Sequence, residues 1–77
     1  MLSINKTFVR KITLGSQAYL VEQNKTKNTI TIQEKKSQEY IYTYNANTHE
    51  VQYGRNFENL IKIIMNHAHI DRYVLYD

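Results

Sequence analysis

Seventy-seven residues make one small domain with no room for a second, and a chain this short buries only about 60–65% of its unfolded surface. The chain has no cysteine, which excludes disulfides and thiolate metal sites and suits a reducing, cytoplasmic setting. A net charge of +3 is too mild to force a polyanionic partner, and no stretch approaches the roughly 18 apolar residues of a membrane span or the core of a signal peptide.

Apolar and polar side chains alternate with period two through residues 7–53, which predicts antiparallel strands. Phe8, Ile12 and Leu14 alternate with Thr7, Lys11 and Thr13. Gly15-Ser16 is a two-residue turn with glycine first, the chemistry of a type II′ hairpin. It sets Leu14 opposite Gln17, Ile12 opposite Tyr19 and Arg10 opposite Val21. Residues 24–27, closed as a four-residue loop, set Val21 opposite Ile30 and Tyr19 opposite Ile32. A three-residue loop at Lys35-Lys36-Ser37 sets Ile32 against Tyr40 and Ile30 against Tyr42. A loop at residues 45–48 sets Tyr42 against Val51 and Tyr40 against Tyr53.

Opposed residues share a face of a sheet, so these registers gather Phe8, Ile12, Leu14, Tyr19, Val21, Ile30, Ile32, Tyr40, Tyr42, Tyr44, Val51 and Tyr53 on one side. Arg10, Gln17, Gln23 and His49 interrupt that side, mostly near strand ends. The other side carries mainly Thr, Lys, Glu and Gln. Such a sheet has one covered face.

The cover follows in the sequence. Phe57, Leu60, Ile61, Ile64, Met65 and Ala68 recur at helical spacing, with Asn56 as N-cap and Glu58 at the positive end of the dipole. His67 and His69 fall near the helix C-terminus. Residues 70–76 then predict a last strand around Val74 and Leu75. The expected fold is α+β: an antiparallel β-meander of about five strands, one amphipathic helix packed on one face, and a C-terminal strand.

Catalytic chemistry finds little support. His49, His67 and His69 have no cysteine to complete a zinc set, and the last two straddle a helix end, so no metal or other cofactor is expected. Ser3, Ser16 and Ser37 fall in loops or the terminus, and no Gly-rich phosphate loop or nucleophile elbow occurs. No enzyme and no small-molecule substrate are expected of a domain with so little room for a concavity.

Two surfaces stand out. On the polar side, the registers align Lys11, Leu20, Thr31, Ile41 and Gln52 in one row with Val9 nearby. Val9, Leu20 and Ile41, flanked by Lys11 and Thr31, form a candidate protein contact or dimer interface. The tyrosines, seven in all, include Tyr40, Tyr42 and Tyr44 on one side of one strand, where they pack as core rather than as a base-stacking platform. The second surface is basic. Residues 1–38 hold Lys6, Arg10, Lys11, Lys25, Lys27, Lys35 and Lys36 against two carboxylates, and residues 39–77 are net acidic. In a meander the Lys25/Lys27 and Lys35/Lys36 loops lie at opposite ends, so one nucleic-acid patch does not follow automatically.

The order of a Tyr40–Tyr44 strand, a Thr48–Tyr53 strand and a helix from Phe57 resembles, in element order alone, small DNA readers such as integrase arm-binding domains. Strands there are basic, whereas this hairpin carries Glu39 and Glu50, and no family follows. The leading expectation is a non-enzymatic module working by contact with another protein or with itself. Composition rich in Asn, Lys, Ile, Thr and Tyr fits an AT-rich bacterial, plasmid or phage source. A phage or mobile-element inhibitor of a host nucleic-acid-processing enzyme, such as an anti-CRISPR protein, is one concrete form. The alternative is a nucleic-acid-binding module using the basic half.

Overall fold

The computed structural model describes residues 7–75. Five strands follow one another in sequence and in space: β1 (Thr7–Leu14), β2 (Gln17–Asn24), β3 (Thr29–Glu34), β4 (Tyr40–Asn45) and β5 (Glu50–Tyr53). All neighbours are antiparallel. A 3-10 turn, Arg55–Phe57, leads into α1 (Glu58–His67), which lies on one face of the sheet.

The first hairpin has the predicted register, Leu14 opposite Gln17 through Arg10 opposite Val21. Gly15 supplies the positive φ, +61°, that a II′ turn needs at its first central position. The other three pairings slip by two residues: Val21 faces Ile32, Ile32 faces Tyr42, and Tyr42 faces Tyr53. An even slip leaves a side chain on its expected face, and only Tyr40 and Ile41, at a register shift in β4, depart from it. The cause of the slips lies in the turns. Asn24 stays in its strand, and its Oδ1 accepts the Lys27 N–H at 2.9 Å. Asn45 does the same with the N–H groups of Asn47 and Thr48, at 2.9 and 3.3 Å. Each asparagine caps the loop that follows it, so both four-residue loops begin one position later, at 25–28 and 46–49. Each loop ends on a residue in the left-handed region, Asn28 (φ 56°) and His49 (φ 63°). Between β3 and β4, Gln38 takes that role (φ 62°) and its N–H reaches the Glu34 carbonyl at 2.7 Å, giving five loop residues rather than three.

Helix α1 buries most of the predicted stripe; Phe57 lies in the 3-10 turn ahead of it and is 36% exposed, and Leu60 is partly buried. Ile61, Ile64 and Met65 have no exposed surface, and Ala68 has almost none. They meet Tyr19, Val21, Ile30, Ile32 and Tyr42 in one apolar cluster. Asn56 does not cap the helix; it lies inside the 3-10 turn, and no side chain caps either start. Glu58 occupies the first turn as expected and approaches Lys62 at 3.8 Å. The helix ends in a Schellman motif: Ile70 N–H bonds to the Met65 carbonyl and His69 N–H to the Asn66 carbonyl. His69 stands where glycine is usual, at φ 59°.

The expected C-terminal strand does not form; residues 70–75 pair with no strand. One side chain does the work of a ladder. The Tyr42 hydroxyl donates to the Val74 carbonyl at 2.8 Å, and the Val74 N–H donates back to that hydroxyl at 3.3 Å. Both backbone groups of Val74 are thereby satisfied. Ile70 is buried, and Tyr73 and Leu75 pack half-buried against the same core.

The core face also departs from expectation at its margins. Phe8 is 47% exposed, because β1 is an edge strand. Its ring instead carries the Lys25 ammonium 5.2 Å from its centroid. Tyr40 is on the opposite side altogether, paired with Gln33.

Two measurements check this packing. Ile64→Ala should lower the unfolding free energy by about 2–5 kcal/mol in urea titration, whereas Ile63→Ala, at a position 47% exposed, should change it by less than about 1. Burial pushes the Tyr42 pKa from 10.0 up to about 12, against the downward pull of its Val74 hydrogen bond. The unfolded chain then ionises first, so stability holds below pH 10 and falls as pH rises toward 12. Tyrosinate absorbance should show a late-titrating phase, and Tyr42→Phe should remove it.

Candidate interaction surface

With α1 on one face, no described element crosses the other. Strand parity places two rows at its centre. Val9, Glu22, Thr31, Thr43 and Gln52 form one, and Lys11, Leu20, Gln33 and Tyr40 form the other. The even slips described above explain why Thr31 moves out of the predicted Lys11 row into the adjacent one.

Ile41 is the substantive correction. The ladder between β3 and β4 shifts between Ile32 and Gln33: Ile32 faces Tyr42, but Gln33 faces Tyr40. The extra residue in β4 is a β-bulge. It takes Ile41 off the bare face, and Ile41 is only 7% exposed within the apolar cluster. It also turns Tyr40 outward, 58% exposed. So Ile41 is core, and Tyr40, expected in the core, belongs to the surface. The signal was present in the sequence. Tyr40-Ile41-Tyr42 is a run of three large side chains, and strict alternation cannot bury the two at Ile41 and Tyr42 together.

Val9, Leu20 and Tyr40 line one shallow depression with Glu22, Thr31 and Gln33. Val9 is 60% exposed and Leu20 is half-buried. This is an apolar centre with a polar rim. Lys11 flanks it, and Lys35 approaches Lys11, because the Lys35 N–H bonds to the Ala18 carbonyl and extends the ladder by one position. A side-chain hydrogen bond from Lys11, which only a neutral Lys35 amine can accept, and like-charge repulsion lower the Lys35 pKa. Lys11 and Lys35 together concentrate positive charge beside the depression, which favours an acidic counterpart. The Lys11–Lys35 proximity had no sequence signal short of the correct register.

The remaining basic candidates do not converge. Lys25 and Lys27 belong to the β2–β3 loop at one end of the sheet, and Lys35 and Lys36 to the β3–β4 loop at the other. Arg10 faces Val21 on the helix side of the edge strand. Lys6 lies outside the described residues. Among the described residues, no three of His, Asp and Glu come together as a metal site. Ser37 is a turn residue whose hydroxyl accepts the Glu39 N–H. No described helix is long and apolar enough to cross a membrane. No family model, curated protein or solved structure matches the chain.

The bulge makes neighbouring residues respond differently to charge. Ile41→Glu should unfold the domain, since a carboxylate in the core costs far more than about 3 kcal/mol. Tyr40→Glu should melt within a few degrees of the unsubstituted chain. Circular dichroism melts of the two variants check this contrast: Ile41→Glu loses its transition and Tyr40→Glu keeps it.

Proposed function

We propose that this domain is a non-enzymatic binding module that contacts another protein through the bare face of its sheet. The observation that carries the reading is the Val9–Leu20–Tyr40 group, exposed together and rimmed by polar side chains. Protein interfaces have this anatomy, and tyrosine is enriched at their centres because a rigid ring buries much area at little entropic cost. The Lys11–Lys35 pair adds a charge requirement, so the partner surface presents apolar groups with carboxylates beside them.

An inhibitor from a phage or mobile element, acting on a nucleic-acid-processing enzyme, is compatible in size and composition. Lysines rim this face, so such an inhibitor would cover a protein surface rather than imitate a phosphate backbone. A second reading has support in one place. Tyr40 with Lys11 and Lys35 nearby combines a ring and cations, as single-strand binders do. One ring and an adjacent Glu22 make a poor platform, and the protein contact is favoured.

The test is capture of partners from source-cell lysate with and without nuclease, using the full chain and a Leu20→Glu, Tyr40→Glu double variant that melts normally. A partner retained after nuclease and lost by the variant is the expected result. Retention by the variant would exclude this face. Loss on nuclease treatment, with binding that weakens steeply in salt, would favour the nucleic-acid reading.

A further inference from the structure

A cleft of about 460 Å³ lies at the end of the sheet that carries the β2–β3 and β4–β5 loops. Sequence reasoning expected no such concavity. We propose that it binds a small anion attached to a flat, partly apolar body, the chemistry of a nucleoside or aryl monophosphate. The proposal does not rest on the interaction-surface reading, because Ile30 and Tyr44, which wall the cleft, belong to the helix-bearing face.

Charge is the first argument. Lys25 comes from the β2–β3 loop and Arg72 from the C-terminal segment, and among the described residues no Asp or Glu lines the cleft. Glu22 and Glu50, the acidic residues of the strands at this end, pair with Val9, Thr31 and Asn45 and stay out of the lining. Two cations without carboxylates set a positive potential in a concave site, where field lines focus. Arginine is suited to planar, bidentate contact with a phosphate.

Shape is the second. Ile30, Tyr44 and Tyr73 give the cleft apolar walls, two of them aromatic. Carboxamides such as that of Asn28 supply donors and acceptors that can fix a ring's orientation. The volume falls within the usual range for small-molecule sites, roughly 300–1,000 Å³.

Rigidity is the third. The Asn28 amide donates to Asn47 Oδ1 at 2.9 Å, the Asn47 amide donates to the Lys27 carbonyl at 3.2 Å, and the Ala46 N–H bonds to the Asn28 carbonyl at 2.8 Å. These bonds stitch two loops, distant in sequence, into one wall. The facing wall, residues 72–74, is held by the Tyr42 hydroxyl at Val74. The Phe8 ring beneath the Lys25 ammonium braces that cation. A site formed before its ligand arrives loses less entropy on binding.

Calorimetric titration of the full chain tests this with adenosine monophosphate, phenyl phosphate, adenosine and inorganic phosphate as probes. Saturable binding of at least one of the two organic phosphates is expected, with adenosine and inorganic phosphate each about tenfold weaker or more. Arg72→Gln and Lys25→Gln, both with unchanged melts, should each weaken that binding about tenfold. The proposal is overturned if neither organic phosphate saturates at millimolar concentration, or if Arg72→Gln binds as well as the unsubstituted chain. A 5′-phosphorylated oligonucleotide that binds more tightly than the monophosphate would also overturn it, in favour of an extended nucleic-acid site.

Discussion

Everything in this domain depends on one-sided burial. A single ten-residue helix must cover a five-stranded sheet, and it can do so only if the sheet sends its large side chains to one face. Ile61, Ile64 and Met65 meet Val21, Ile32 and Tyr42 at the centre, where little or no surface remains exposed. Away from that centre the cover thins. The edge strand β1 keeps Ile12 and Leu14 only partly buried and leaves Phe8 half out. The domain therefore has a tight middle and loose margins. A small core of this kind has no reserve, which is why single buried positions matter.

Tyr42 links the parts of that core. Its ring lies 6.2 Å from the Tyr53 ring, and its hydroxyl fixes the C-terminal segment. A phenol can do both because its body is apolar and its tip is polar. No buried side-chain donor or acceptor lacks a partner among the described residues. A sheet strand would have satisfied the segment's backbone by pairing along its whole length. Here one hydroxyl satisfies it at a single residue and leaves Asp71 and Arg72 at the surface.

Parity was legible in the sequence except at the β4 bulge, and registry only in the first hairpin. Alternation told which residues share a face, and an even slip cannot disturb that, so the core emerged nearly complete from three incorrect pairings. The loops start later than the pattern predicts because Asn24 and Asn45, loop-type residues by composition, end strands instead. Their carboxamides act from inside the strand on the loop ahead. The predicted last strand is absent among the described residues for a different reason. Val74 and Leu75 are apolar enough for a strand, but whether a chain pairs depends on what edge awaits it, which composition does not encode. The surface candidates divide in the same way. Val9, Lys11, Leu20 and Thr31 face outward as parity requires, and Ile41 fails because a bulge breaks parity at one point. The cleft was invisible because its walls come from residues near 25, 45 and 73, brought together only by the fold.

The bulge in β4 decides what kind of surface the bare face is. An even ladder there would display Ile41 beside Val9 and Leu20, a wholly aliphatic patch that adheres to any oily surface it meets. The bulge withdraws that side chain and offers a phenol in its place. A hydroxyl must find a donor or acceptor when it is covered, so contacts that fail to provide one are penalised. One additional residue in a strand thereby replaces indiscriminate stickiness with a demand for a match.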